Sequence, residues 1–519
     1  MYGSNTTEDA ALVEQVKRDS DTTLVIQRNG VTVNPRRYVV ANGFIQGSNL
    51  GVYNNDVGSV ARALTERVFR VKIAGEFVRP ILARRNAFKT ASMVEFKDKV
   101  MSNMPQLPKL SISQVVDCYT GAKRRLYHEA SKTFCHTPLS EHDCRLSAFV
   151  KHEKVDLSKP PRLISPRDPR FNLKLGQFIK HAEKPFYAAI NEAFGSRTDY
   201  TVIKGLNARD SASVLNAKWN YFGDPIAVSI DAVKLDAHVG VSALKYEHRF
   251  YKQLHPGSKL LKWLLKAQLQ NRGKAYVKDG TVKFSYPGRR ASGDMNTSLG
   301  NCLIVCAMVY AFCKEAGLDV ELANNGDDCV LFMERRDRDK LTGLDDWFRT
   351  KGFVMTVDNI AEHFEAVDFC QTRPVKVNGQ WTMIRNHKAV FEKDGICTLS
   401  MPNLKTYKKW LHAVGECGTI LNTGVPCQYA FHNMMKRSGT VGSEGFKDLV
   451  HKGSSMMTRI RNLNPGNHSI CAETRVSYYY AHGILPDEQV AIEAYYDSFA
   501  ITTLNTVPQE RYNVYIEPG

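Results

Sequence analysis

Three aspartates carry the chemistry that stands out first. Asp327 and Asp328 follow Gly326 between two β-prone runs, Val320 to Ala323 and Cys329 to Phe332. Glycine and acidic residues between apolar runs predict a hairpin, whose flanks bury the strands and leave both carboxylates at an exposed tip. Adjacent hard oxygen ligands suit Mg²⁺ or Mn²⁺. Alone, such a turn is more often an acidic surface loop, so its meaning depends on partners elsewhere.

The third aspartate, Asp231, ends the apolar, β-branched run Ile226 to Ile230, as a buried strand delivering a carboxylate to its C-terminal edge does. Asp236 follows where the chain should turn toward a helix beginning near Val239. By itself that pattern equally describes a strand followed by an acidic cap. Ser292 and Gly293 lie in a loop that opens a long apolar helix, closing at Gly317 after Lys314. Thr297 and Asn301 share one face of that helix. It leads into the Gly-Asp-Asp hairpin, so Ser292, Gly293, Thr297 and Asn301 are expected beside the acidic tip, with Gly293 and Gly326 as backbone positions along a template path.

Prolines 160, 161, 166 and 169 fix an extended path that holds Lys154, Arg162 and Arg167 apart. Guanidinium forks on a stiff loop suit triphosphate oxygens, although a generic basic loop has the same composition. Together, Asp231, Asp327 and Asp328 could hold two cations about 4 Å apart for in-line phosphoryl transfer. Arg162, Arg167 and Lys154 would align a triphosphate. Asp236, Ser292 and Asn301 would hydrogen-bond a ribose 2′-hydroxyl, the group that distinguishes RNA from DNA.

The elements that must position these groups are spread over 519 residues, enough for several subdomains sharing interfaces. With 43% hydrophobic and 24% charged residues, pervasive disorder is excluded. The net charge of +17 favours a polyanionic partner, since each neutralised phosphate releases a counterion, and by itself fits an RNA-coating or a membrane-surface protein equally well. Twelve scattered cysteines without a Cys-x-x-Cys pair read as reduced thiols. Cys135, His136, His142 and Cys144 are either a zinc cluster or ordinary loop residues. The N-terminus carries no signal-peptide core, and the longest apolar run, Cys302 to Cys313, is too short to span a bilayer. Helical spacing marks Val60 to Phe69 and Tyr119 to His128, both with basic faces. Asp337 to Gly352 reads as helical, Phe364 to Gln371 and Gln380 to Arg385 as paired strands, and the chain from about residue 400 as helical.

Read in order, the chain resembles a known family. Asp231 and Asp236, then Ser292, Gly293, Thr297 and Asn301, then Gly326 to Asp328 follow the palm signature of viral RNA-dependent RNA polymerases. GVYNN with ERVF, YTGAKRRLY, FVKHEK, PRLISPRDPRFN, SGDMNTSLGN, FCQTRPV, WTMIRN and GILPDEQ are similar to the tombusvirus and carmovirus group and its umbravirus and luteovirus relatives. The resemblance covers residues 51 to 489. It implies an α+β right-hand fold with an antiparallel-sheet palm carrying the Gly-Asp-Asp hairpin. The implied parts are an N-terminal arm (1–50) touching fingertips or thumb, fingers (51–220 and 241–285), palm (221–240 and 286–390) and thumb (391–519). It further implies RNA copying with two Mg²⁺ or Mn²⁺ ions, no organic cofactor, RNA template, nascent RNA and NTPs as partners, and initiation without a protein primer. Many such polymerases place a lysine after the hairpin to protonate pyrophosphate, and Lys351 is the only candidate in Lys351 to Met355. In this family the membrane anchor usually lies in an N-terminal extension or an auxiliary replication protein. The expectation is work at membrane-associated complexes in host cytoplasm, with no transmembrane segment in this chain and with self-association open. Two rivals stand beside this reading: a reverse transcriptase, which usually has an aromatic residue two positions before its paired aspartates, and a basic RNA-binding protein without catalysis.

Overall fold

The computed structural model describes residues 13–41, 49–399, 403–451, 463, 468–501 and 504–508. Its centre is the helix Thr297–Glu315, in which residues on every side are buried, from Leu299 to Cys313. A helix apolar all round belongs inside a protein or a membrane. This one, the only described helix long and apolar enough to cross a bilayer, is 83% buried by the protein itself. It packs against helices Ala91–Ser102, Glu183–Ala193 and Val241–Leu254, and Gly317, at φ +61°, releases the chain from its end.

Beside it lies a four-stranded antiparallel sheet in the order Glu321–Asn325, Asp328–Glu334, Pro225–Ala232, Met355–Ala361. Alternate residues of a strand face opposite sides. Ile226, Val228 and Ile230 enter the core around the central helix. Ala227 joins Val330 and Phe332 in a second cluster, beneath helix Ala208–Asn220 and strand Gln380–Arg385. Burial on both faces explains the near-continuous apolar run before Asp231, interrupted only by the buried Ser229.

The N-terminal segment is strand-paired at two distant places. Val13–Arg18 and Thr23–Arg28 extend the hairpin Gln270–Val277/Gly280–Pro287 into a five-stranded sheet with Leu146–Ser147 at its far edge. Arg37–Ala41 pairs with Ile396–Cys397 and Leu504–Pro508. The later helices, including Leu404–Leu421 and Gln428–Ser438, surround an apolar core of their own.

Several boundaries differ from the sequence expectation. Val57–Ala63 is α-helical, but Leu64–Phe69 continues as a π-helical turn, a form that often marks functional positions. The helix expected from Tyr119 begins at Gly121 and runs to Lys132. Asp337 to Gly352 divides between a 3₁₀ segment, Arg335–Leu341, and helix Leu344–Thr350. The partner of strand Gln380–Arg385 is Thr372–Val377, not Phe364 to Gln371. Cys370 and Gln371, at φ +54° and +58°, interrupt extended backbone just before it.

Candidate active site

Asn325 pairs with Asp328, so the hairpin turn consists of Gly326 and Asp327 alone. Gly326 has φ +91° and Asp327 is not left-handed, as in a turn with glycine at its first central position. The buried Asn324 side chain pins the turn, donating to the Gly326 carbonyl at 2.9 Å and accepting from the Gly326 N–H at 3.1 Å. Asp327 is therefore exposed at the tip. Asp328 is not at the tip, as the sequence suggested: it is the first ladder residue and half-buried, because a two-residue turn leaves no room for it.

Asp231 lies on the adjoining strand, opposite Thr356. One pairing further, the register slips: Ser229 faces Asn359 and Ile230 faces Val357, leaving Asp358 as the extra residue of a bulge. Bulges re-aim side chains, and Asp358 joins Asp231, Asp327, Asp328 and Asp368 in lining one cavity of about 930 Å³. Burial first, then Asp358 and Asp327, raise the proton affinity of Asp231. Burial, Asp327 and Asp231 push Asp328 up to about 6. Hard oxygen donors that repel one another in this way have the chemistry to hold divalent cations, and Asp231, Asp327 and Asp328 are the residues that could do so. Among the described residues, however, no three His, Cys, Asp or Glu side chains already converge as a metal cluster.

The sign of a pH effect follows. A carboxyl whose folded pKa is raised binds more protons folded than unfolded, so its contribution to stability falls as pH rises through about 6. A bound divalent cation offsets the charge present above that pH. We expect Mg²⁺ to raise the melting temperature more at pH 8 than at pH 5, measured against EDTA controls. An equal rise at both would contradict carboxylate ligation.

Cationic groups line the same cavity. Arg162 projects into it with its side chain 52% exposed, 3.6 Å from Glu153. Arg67, from the π-helical turn, and Lys151, Lys159 and Lys234 line the same space. Burial and the neighbouring Arg67, Arg162 and Lys159 lower Lys234 to about 8. Repulsion among the carboxylates and among the cations is what a ligand carrying both cation and polyanion would relieve.

A polar cluster lines the cavity as well. Asp236 accepts from Ser292 Oγ and, at 3.2 Å, from Asn301 Nδ2. Thr297 lines the cavity one helical turn before Asn301, its hydroxyl donating to the Ala291 carbonyl at 3.2 Å. Gly293, at φ +124°, abuts the Pro166 backbone, where a Cβ would lie 3.0 Å from the proline nitrogen. Gly293 and Gly326 also border a second cavity of about 450 Å³ with Tyr119, Lys123, Lys180 and Lys204, which shares Thr297, Asn301 and Asp327 with the first.

Three expected site residues lie elsewhere. Arg167 is buried, its side chain 1% exposed, pairing with Asp294 at 2.7 Å and donating to Asn271 Oδ1 and the Cys144 carbonyl, both at 2.5 Å. Lys154 turns away, donating to the Lys393 carbonyl at 2.5 Å beside the Trp410 ring. Lys351 is buried, donating to the Ala87 carbonyl at 2.8 Å. None of the three lines the large cavity, so the structure does not bring them together with the carboxylates as the sequence suggested. Cys135, His136, His142 and Cys144 form no metal cluster; Cys135 Sγ donates to the Lys132 carbonyl. Conversely, sequence reasoning missed Arg67, Lys159, Lys234, Asp358, Asp368 and Arg373, all on the cavity wall. Arg67 and Lys159 sat inside or beside quoted motifs, a signal that was there to use. Asp358 had none, because its role depends on a bulge.

Carboxylates together with guanidinium and ammonium groups lining one cavity, on an α+β scaffold, suit phosphoryl transfer. Residues 24–503 match the family described as viral RNA dependent RNA polymerase, and the chain belongs to that family. It is 36% identical over 504 residues to the RNA-directed RNA polymerase of tobacco necrosis virus (strain A), covering 96% of this chain and 69% of that protein. Similarity to the enzymes of Cymbidium ringspot virus (37% identical, 85% of this chain, 53% of the relative) and red clover necrotic mosaic virus (38%, 88% and 60%) is of the same order. The chain thus spans 53 to 69% of the length of these relatives.

Proposed function

We propose that the large cavity is the nucleotidyl-transfer site of RNA-templated RNA synthesis in a positive-strand RNA virus. The observation that carries this is that Asp231, Asp327 and Asp328, the cationic Arg162, and the hydrogen-bonded Asp236–Ser292–Asn301 cluster all line one cavity. Asp231, Asp327 and Asp328 would hold divalent cations, which would supply charge neutralisation and lower the proton affinity of an attacking 3′-hydroxyl. Arg162, Arg67, Lys159 and Lys234 hold the triphosphate in line. Asp236 and Asn301 meet the ribose 2′-hydroxyl as acceptor and donor, and Ser292 keeps Asp236 in place. Gly326, without a side chain, lets the tip approach the reacting groups.

In this reading the central sheet is the palm (221–240 and 286–390), flanked by fingers (51–220 and 241–285) and thumb (391–519), and the described strands Thr23–Arg28 and Arg37–Ala41 of the N-terminal arm (1–50) pair with one and the other. The second cavity, with Gly293, Gly326 and its tyrosine and lysines, takes template RNA. Initiation without a protein primer, a membrane anchor supplied by an extension or auxiliary protein at cytoplasmic replication complexes, and self-association rest on the family resemblance.

Incorporation on a heteropolymeric RNA template, comparing NTPs with dNTPs, tests the proposal. Strong preference for NTPs is expected. Equal use of dNTPs would remove the ribose role and favour a reverse transcriptase, and no incorporation would favour the RNA-binding rival. Arg162→Ala should raise KM for NTP by about tenfold or more, the scale of one lost charge-assisted contact, with RNA affinity little changed. An unchanged KM would take Arg162 out of the triphosphate site.

A further inference from the structure

The polar cluster that meets the ribose in the function proposed above is itself held by a residue with no role so far. Arg290 reaches it twice. Its backbone N–H donates to the Asp236 carbonyl at 2.7 Å, and its Nε donates to Asn301 Oδ1 at 3.0 Å. The guanidinium is anchored behind the site by Glu247, Nη2 to Oε2 at 2.6 Å, with both side chains essentially inaccessible. Glu247 is fixed in turn by donors from Tyr251 at 2.8 Å and Asn296 at 2.5 Å. Arg290 Nη1 is buried without a partner, so Glu247 and Asn301 set the orientation of the fork.

This arrangement removes a freedom that Asn301 would otherwise have. A carboxamide can turn over, exchanging its oxygen and nitrogen. Arginine offers only donors and an ionised aspartate only acceptors. With Arg290 on one side and Asp236 on the other, Asn301 has one satisfied orientation: oxygen to Arg290, NH₂ to Asp236. Its second N–H is then the donor left for a sugar hydroxyl. Gly300 supports the same conclusion, since a Cβ there would lie 2.2 Å from Glu247 Oε1 and 2.5 Å from Arg290 Nη2. A glycine inside a helix is less favourable than alanine, and here it makes room for the ion pair against the helix that carries Asn301.

We infer that Arg290, backed by Glu247 and accommodated by Gly300, is a positioning residue for sugar selection: it locks the Asn301 carboxamide so that its NH₂ faces Asp236 and the ribose 2′-hydroxyl.

The inference rests on the ribose role of Asn301, so the test measures both. The readout is the ratio of kcat/KM for CTP to that for 2′-deoxy-CTP on an RNA template, for wild type, Asn301→Ala, Arg290→Lys, the double variant and Gly300→Ala. Lysine can keep the Glu247 pair but loses the fork that reaches Asn301. The ratio should fall about tenfold in Arg290→Lys, the scale of one hydrogen bond to a charged group. The double variant should be no worse than Asn301→Ala alone, because the two residues act on one contact. Gly300→Ala, which keeps both charges and displaces the pair, should lower the ratio in the same direction and carries the test if Arg290→Lys folds poorly. A wild-type ratio in Arg290→Lys or Gly300→Ala, while Asn301→Ala loses selectivity, overturns the positioning role and leaves the ribose role standing. Additive losses in the double variant also overturn it, since they mean Arg290 acts elsewhere. A wild-type ratio in Asn301→Ala itself overturns both.

Discussion

Asp327→Asn should reduce nucleotide addition on the order of 10³-fold or more, the equivalent of several kcal/mol of charge stabilisation at the reacting centre, while RNA affinity changes little. The separation follows from where the residue sits. Asp327 is exposed at a two-residue tip whose shape is set by Gly326 and Asn324, so asparagine should fold there at a cost within about 0.5 kcal/mol. The basic groups that attract RNA lie on other elements. Removing one charge should also relax its neighbours, because Asp327 is among the groups that raise both Asp231 and Asp328. Single-turnover extension, thermal melting and RNA-binding anisotropy on the same preparation separate these effects. Parallel loss of binding and addition would mean that the tip supports the RNA path and not the reacting centre.

Arg167→Ala should fail in a different way. The side chain is sealed in the protein against Asp294, which also accepts from Gln268 at 3.1 Å. Truncation leaves a buried carboxylate with its main partner gone, a change that typically costs about 3–5 kcal/mol. The expected outcome is a melting temperature lowered by several degrees, with activity lost in proportion to the folded fraction. Arg162→Ala, on the open wall, should melt as wild type. A stable Arg167→Ala enzyme with a raised KM for NTP would restore the direct phosphate contact that the geometry denies.

The contrast between these two arginines shows what the sequence could and could not say. Five positions apart on one proline-stiffened loop, they carry the same charge and the same local pattern. Which of them faces solvent depends on Asp294 and Asn271, more than 100 residues away. Spacing within one element was far more legible: Asp231 at the end of a doubly buried strand, Thr297 and Asn301 on one helical face, and glycine at the hairpin turn all follow from local periodicity and backbone sterics. Asp328 was misplaced by one residue, because turn length is fixed by strand register and not by composition. Asp358 was invisible, because a bulge in the Met355–Ala361 strand arises from its pairing with Pro225–Ala232. Lys154 and Lys351 were drawn in by charge and sequence position, yet each is captured by a backbone carbonyl of a distant segment.

The most direct test of the central claim is a nucleotide-omission assay with purified protein, Mg²⁺ and a defined heteropolymeric RNA. With all four NTPs, the cavity as described predicts full-length complementary RNA. With one NTP withheld, it predicts products that stop before the first template position requiring it. Products whose length ignores the omitted nucleotide, or no product in the presence of Mg²⁺ or Mn²⁺, would contradict templated nucleotidyl transfer at this site.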